Sequence, residues 1–145
     1  MTTSSIEPTV GILIISHNLL GEALIHCAEH IMSRPLPQLA HLSVSKHDDP
    51  VEVLARAQAE VDRLDQGVGV LLLTDIYGGT PSNIANRLIQ SRRIEAVAGV
   101  SLPMLIRALT YSSQGLEVMV SKAITGGWEG VVYMLPETPG GTMQF

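Results

Sequence analysis

Two polar residues stand directly behind the two most apolar segments of the chain. His17 follows the run of residues 10–15, and Asp75 follows the run of residues 68–74. A histidine with one ring nitrogen held by a carboxylate has a fixed tautomer, and its other nitrogen presents a lone pair. An imidazole prepared in this way is a nucleophile for covalent group transfer. Taken singly, His17 could be a solvated loop residue and Asp75 a turn former; taken together, they predict a catalytic pair.

The segment after Asp75 suits a phosphoryl group. Gly78 and Gly79 allow the backbone to come close to a ligand, and Thr80-Pro81 is typical of the start of a helix. A helix N-terminus offers free N–H groups and the positive end of the helix dipole, and both favour an anion. The Thr80 hydroxyl adds a further hydrogen-bond donor. We therefore expect Gly78, Gly79 and Thr80 to bind phosphoryl oxygens.

Short apolar runs alternate along the chain with stretches in which apolar residues recur at helical spacing. This alternation predicts an α/β fold with a doubly wound, mainly parallel sheet and helices on both faces. Strands are expected at residues 10–15, 39–44, 68–74, 96–100 and 131–135. The first helix is expected to bury Leu20, Leu24, Cys27 or Ala28, and Ile31. Ligands of such sheets bind beyond the carboxyl ends of the strands, near the reversal of strand order. If the first and third strands are neighbours, His17 and Asp75 meet at that edge.

Composition limits the remaining possibilities. The chain has 145 residues, which predicts one domain at 1–135 and a loose tail at 136–145. The net charge of −5 and the lack of a Lys/Arg run give nucleic-acid binding little electrostatic support. The single cysteine excludes an internal disulfide, which fits a reducing compartment. The first apolar run, at 10–15, is too short to span a bilayer. We therefore expect a cytoplasmic protein. His26 and His30 share helical spacing but lack an accompanying Cys or Glu motif; no metal and no cofactor are expected.

Three segments carry a resemblance to a known family. They are Gly11-Ile-Leu-Ile-Ile-Ser-His17, the stretch from Leu71 through Asp75-Ile-Tyr-Gly-Gly-Thr-Pro-Ser-Asn83, and Val97-Ala-Gly-Val-Ser-Leu-Pro-Met104. In this order they resemble the IIA component of the mannose family of the bacterial phosphoenolpyruvate:sugar phosphotransferase system (PTS). The likeness covers most of the chain, and the Asp-x-x-Gly-Gly-[Ser/Thr]-Pro-x-Asn segment is its most specific part.

The resemblance implies a phosphocarrier. His17 would accept a phosphoryl group from the carrier HPr on Nε2, with Asp75 bonded to Nδ1, and would pass it to a histidine of a IIB component for sugar uptake. Ser16 matches the hydroxyl residue that usually precedes the histidine, and it joins Thr80, Gly78 and Gly79 as an expected phosphoryl-binding residue. The family also implies a homodimer in which a C-terminal strand, here 131–135, is exchanged between subunits.

Several alternatives remain open at this point. Transporting members of the family often carry Trp where this chain has Tyr77, and many continue into a IIB domain, whereas here the acceptor is expected to be a separate protein. A purely regulatory role set by the phosphorylation state, without sugar transport, fits the same residues. The phosphotransfer subunit of dihydroxyacetone kinase is a third reading, although Gly78-Gly-Thr-Pro-Ser-Asn83 fits the mannose type better. A small-ligand binding domain without covalent chemistry is the most distant.

Overall fold

A computed structural model describes residues 7–136, and in this part of the chain four strands and five helices form an α/β fold. The strands are Gly11–His17 (β1), Leu39–Val44 (β2), Val70–Thr74 (β3) and Ile94–Ala98 (β4). The helices are Leu20–Met32 (α1), Pro50–Leu64 (α2), Thr80–Leu88 (α3), Leu102–Thr110 (α4) and Leu116–Glu129 (α5). The predicted fold class is confirmed.

All neighbouring strands are parallel, in the order β2-β1-β3-β4. Helices α1, α4 and α5 cover one face, and α2 and α3 cover the other. Alternate residues of β1 pack on opposite faces of the sheet. Ile12 and Ile14 belong to the core under α1, α4 and α5. Leu13 and Ile15 belong to the core under α2 and α3. Burial on both faces explains why the central strands are continuous apolar runs.

The strand order reverses between β1 and β3, which are hydrogen-bonded neighbours. Ile15 is paired with Thr74, so the chain reaches His17 and Asp75 at nearly the same height beyond this pair. The adjacency expected from the sequence is therefore observed, and both residues lie at the topological switch point.

Two helices begin at residues whose side chains cap them. The Asp49 carboxylate accepts from the Val51 N–H at the start of α2, and the Ser101 hydroxyl accepts from the Met104 N–H at the start of α4. Helix α3 instead begins after Gly79, which has no side chain to cap it. The capping residue of α3 therefore has no side chain that could accept a hydrogen bond from the first N–H groups of the helix.

The inner face predicted for α1 is wrong in part. Cys27 is exposed, whereas Ala28 is fully buried, and Leu20 and Ile31 are largely exposed. The helix turns its small residues toward the sheet: a Cβ added at Gly21 would lie 3.0 Å from the His41 Cβ. Close approach through Gly21 and Ala28 thus overrides the face that apolar periodicity alone selects.

The expected last strand at 131–135 is not paired with any strand among residues 7–136. Its side chains, from Val131 to Leu135, are 56–86% exposed, and β4 remains the outer strand of the described sheet. The predicted loose tail begins at Pro136, and its residues 137–145 lie outside the described part of the chain. Within residues 7–136, no helix combines the length and hydropathy needed to cross a bilayer.

Candidate functional site

The His17 imidazole and the Asp75 carboxylate are in direct contact. His17 Nδ1 lies 2.8 Å from Asp75 Oδ2, and the backbone N–H of His17 donates to the same oxygen at 2.8 Å. The second carboxylate oxygen, Oδ1, accepts from the Ile76 N–H at 2.8 Å. The Asp75 side chain is only 12% exposed, whereas the His17 side chain is 46% exposed. The carboxylate is thus fixed from several sides, and the imidazole remains accessible.

Burial alone would raise the pKa of Asp75, but the His17 N–H, the His17 ring and the Ile76 N–H together outweigh it, and the pKa lies below its ordinary value. An ionised carboxylate can only accept hydrogen bonds. His17 Nδ1 must therefore carry the proton that it donates to Asp75. In the neutral ring this leaves the lone pair on Nε2.

The N-terminus of α3 lies beside the free edge of the imidazole. A Cβ placed on Gly79 would lie 3.2 Å from His17 Cε1 and 3.7 Å from His17 Nε2. Gly79 has an extended backbone, with φ −89° and ψ 177°, so its role here is close approach rather than unusual torsion angles. In the described part of the chain, no acceptor contacts the N–H groups of Thr80 and Ser82. These donors and the helix dipole make the neighbourhood of Nε2 favourable for an anion.

Ser82 organises the glycine pair, and the sequence reasoning missed it. Its hydroxyl accepts from the Gly78 N–H at 2.8 Å and donates to the Gly79 carbonyl at 3.0 Å. The Gly78 N–H, expected to bind phosphoryl oxygens, is engaged by this bond, and φ of +92° at Gly78 makes the turn. A serine in the first turn of a helix, four residues after the turning glycine, is the sequence signal that could have found this contact.

The two predicted hydroxyl residues lie in different surroundings. Thr80 is exposed at the first position of α3. The Ser16 side chain is buried, and its hydroxyl accepts from the Gly21 N–H at 2.9 Å. Consecutive strand residues point to opposite faces, so Ser16 supports the start of α1 while His17 points away from that helix.

A further contact holds the turn after His17. Asn18 has a positive φ of 49°, and its carbonyl accepts from the Ser43 hydroxyl at 2.7 Å. This bond connects the turn that follows His17 to β2. The described residues include no group of three or more His, Cys, Asp or Glu side chains able to hold a metal ion. The site therefore combines an accessible imidazole, a buried carboxylate bonded to it, and backbone N–H groups that could bind an anion.

The model of a PTS IIA family, described as "PTS system fructose IIA component", matches residues 11–124. The chain belongs to this family. The match includes both partners of the His17–Asp75 contact and the start of α3.

The IIA chain is similar to curated proteins with mannose-specific and fructose-specific names. It is 29% identical over 126 residues to the PTS system mannose-specific EIIAB component of Escherichia coli K12, covering 85% of this chain and 39% of that protein. The chain thus spans well under half the length of that relative. It is also 48% identical over 42 residues to the PTS system fructose-specific EIIA component of Bacillus subtilis, covering 28% of this chain and 29% of that protein.

Solved structures show the same fold. The mannose/sorbose-specific IIA subunit from Enterococcus faecalis superposes with a TM-score of 0.78 at 24% identity, covering 90% of this chain and 99% of that one. The EIIA component from Streptococcus agalactiae gives a TM-score of 0.75 at 25% identity, covering 86% and 96%. The predicted resemblance to the mannose-family IIA component is confirmed.

The pKa of Asp75 generates a pH prediction. Because hydrogen bonds from His17 and Ile76 outweigh burial and lower the pKa of this carboxyl from 3.8, the folded protein binds fewer protons than the unfolded chain in this range. Asp75 therefore stabilises the fold above its ordinary pKa, and this contribution is lost as the pH falls toward the lower folded-state pKa. The difference in free energy of unfolding between wild type and Asp75→Asn should shrink from about pH 5 to about pH 2. Urea unfolding at several pH values measures it, and a difference independent of pH would contradict the assignment.

Proposed function

We propose that this IIA protein is a phosphoryl carrier whose nucleophile is His17 Nε2. The observation that carries the proposal is the 2.8 Å contact between His17 Nδ1 and Asp75 Oδ2 in a ring that remains 46% exposed. This contact supports a proton on Nδ1 and a lone pair on Nε2. Membership in the IIA family supports phosphoryl transfer as the chemistry.

The chemical step needs His17, Asp75 and the phosphohistidine of a donor protein. The Nε2 lone pair attacks the phosphorus of a donor phosphohistidine and forms the new N–P bond. The donor N–P bond breaks, and its electron pair returns to the donor imidazole. The Nδ1 proton of His17 stays in its hydrogen bond to Asp75, which stabilises the positive charge that develops on the ring. The second transfer, to an acceptor histidine, is the same step in reverse.

The start of α3 supports the transferred group electrostatically. Phosphoryl transfer depends mainly on positioning and on stabilisation of charge spread over the phosphoryl oxygens. We assign this role to the free N–H groups of Thr80 and Ser82, the Thr80 hydroxyl and the dipole of α3. Gly79 allows the approach, and the Ser82 hydroxyl fixes the carbonyl of Gly79 and the N–H of Gly78.

The partners follow from the family rather than from contacts in this chain. We propose HPr as the donor and a separate IIB-type histidine as the acceptor, in the cytoplasm and in the service of sugar uptake. The relative from Escherichia coli is named as a mannose-specific EIIAB component, so a IIB acceptor is the partner that its name supports.

We also propose a homodimer in which residues 131–135 of each subunit pair with β4 of the other. The segment carries five exposed apolar side chains, from Val131 to Leu135. The outer edge of β4 has no neighbouring strand in the described sheet. A groove of about 330 Å³ runs beside β4, and the exposed Trp128 lines it. An unpaired strand edge and an exposed apolar segment favour an exchange in which each copy pairs its segment with the edge of the other.

Phosphoryl transfer to His17 is tested with phosphorylated HPr. Wild type should gain one acid-labile, base-stable phosphohistidine, and His17→Ala should gain none, because the nucleophile is removed. His47→Ala, at an exposed position in the loop before α2, is the matched control and should be labelled normally. Asp75→Asn should keep the fold and accept the phosphoryl group about 10- to 100-fold more slowly, because the tautomer is no longer fixed. Labelling of His17→Ala, or a normal rate in Asp75→Asn, would refute the proposal.

Gly79→Ala tests the close approach of α3 to the imidazole. The added methyl group would sit 3.2 Å from His17 Cε1 and displace the ring or the helix by a few tenths of an ångström. We expect phosphoryl uptake about tenfold slower with an unchanged fold, since near-attack geometry is sensitive to such shifts. Gly127→Ala is the control, because its methyl group meets the flexible end of Met104. Equal rates in both variants would show that the approach of Gly79 is unimportant.

The dimer is tested by charge on the exposed segment. Tyr133→Asp places a carboxylate where β4 of a partner is expected and should convert a dimer to a monomer, as measured by light scattering after size-exclusion chromatography. Val51→Asp, at a residue that is also exposed but lies in α2, should remain dimeric. A monomeric wild type, or a dimer that survives Tyr133→Asp, would contradict the exchange.

A further inference from the structure

The turn that leads from β1 into α1 must hold His17 at a defined distance from α3. His17 makes two hydrogen bonds to Asp75, one from its backbone N–H and one from Nδ1, and both end on the same oxygen, Oδ2. Two bonds that converge on one atom leave the ring and the following turn able to rotate about that atom. A further fixed point on the turn is therefore needed to set the distance between Nε2 and the start of α3.

Ser43 of β2 provides this fixed point. Its hydroxyl donates to the Asn18 carbonyl at 2.7 Å, one residue beyond His17. Asn18 has a left-handed φ of 49°, a conformation that asparagine adopts more readily than most residues but at a cost in free energy. The bond from Ser43 thus stabilises the backbone where the chain turns from β1 into α1.

A second serine supports the other end of the same turn. Ser16 and Ser43 are partners in the register of β1 and β2. The Ser16 hydroxyl accepts from the Gly21 N–H at 2.9 Å, so the two serines hold opposite ends of the stretch 18–21. Ser16 is 1% exposed, whereas Ser43 is half-buried. The Ser43 hydroxyl can therefore be removed without disturbing the core.

We propose that Ser43 is a positioning residue for phosphoryl transfer by His17 and acts through the Asn18 carbonyl. This inference rests on the proposed function. With the bond in place, the imidazole stays against Gly79, where a Cβ would lie 3.2 Å from His17 Cε1. Without the bond, the turn moves relative to β2, and Nε2 loses its fixed distance from the N–H groups of α3 that stabilise the transferred group. Ser43 itself does not contact the phosphoryl group.

The test compares Ser43→Thr with Ser43→Val, two side chains of the same shape of which only the first keeps a hydroxyl. Phosphoryl uptake from phosphorylated HPr is followed in rapid-quench single turnovers at several donor concentrations. We expect Ser43→Thr to remain within about twofold of wild type and Ser43→Val to be about fivefold slower at saturation, as for the loss of one hydrogen bond. The donor concentration at half-saturation should be unchanged, because Ser43 does not contact the donor.

A spectroscopic signature separates positioning from a loss of stability. The nuclear Overhauser contact between the His17 Hε1 and Gly79 Hα protons should be retained in Ser43→Thr and weakened in Ser43→Val. The proton on Nδ1 should stay in both, because the bond to Asp75 does not involve Ser43. Thr125→Val is the control, since it removes a half-buried hydroxyl that donates to a backbone carbonyl within α5. It should change neither the contact nor the rate.

A second pair of variants keeps the test decisive if Ser43→Val fails to fold. Asn18→Gly adopts the positive φ freely, whereas Asn18→Ala does so at a cost and should displace the turn. Phosphoryl uptake should therefore be slower in Asn18→Ala than in Asn18→Gly, again without a change in half-saturation.

The outcomes distinguish this inference from the proposed function. A wild type that gains no phosphoryl group would overturn the proposed function itself. A labelled wild type with equal rates in Ser43→Thr and Ser43→Val, or in Asn18→Gly and Asn18→Ala, would overturn only the role of Ser43. A slower Ser43→Val with an unchanged contact between His17 and Gly79 would also overturn it, because the ring would not have moved.

Discussion

The hydrogen bond between His17 Nδ1 and the Asp75 carboxylate is the interaction on which the site depends. It joins the ends of two strands that are far apart in sequence, and it occupies Nδ1, so the lone pair of the neutral ring lies on Nε2. The same carboxylate oxygen accepts from the His17 backbone N–H. One side chain therefore fixes both the position of the strand end and the tautomer of the ring.

The sheet supplies the geometry that this contact needs. Parallel pairing of β1 with β3 brings the two carboxyl ends to one edge, and burial of both strands on both faces makes this edge rigid. Helix α3 then returns across the edge, with Gly79 against the imidazole and Ser82 holding the glycine turn. The imidazole and the N–H groups at the start of α3 come from separate segments, and the pairing of β1 with β3 brings these segments together.

Much of this arrangement could be predicted from the sequence, because its signals are local. Continuous apolar runs identify β1 and β3, Asp49-Pro50 marks the start of α2, and the residues after Asp75 mark the turn into α3. The orientation of α1 could not be predicted, because Gly21 and Ala28 approach the sheet closely and apolar periodicity gives no weight to small residues. The hydrogen bonds of Ser16 and Ser82 to the backbone could not be predicted from the sequence either. A serine hydroxyl can bind a ligand or the backbone, and only the folded structure shows which group it contacts.

The central claim is that Asp75 holds the His17 ring with its proton on Nδ1 and its lone pair on Nε2. The most direct test is a long-range ¹H–¹⁵N correlation spectrum of the imidazole in the unphosphorylated protein at a pH where the ring is neutral. The account predicts a pyrrole-type Nδ1 and a pyridine-type Nε2 for His17, and a mixture of tautomers in Asp75→Asn. A protonated Nε2 in the wild-type ring, or the same spectrum in both proteins, would contradict it.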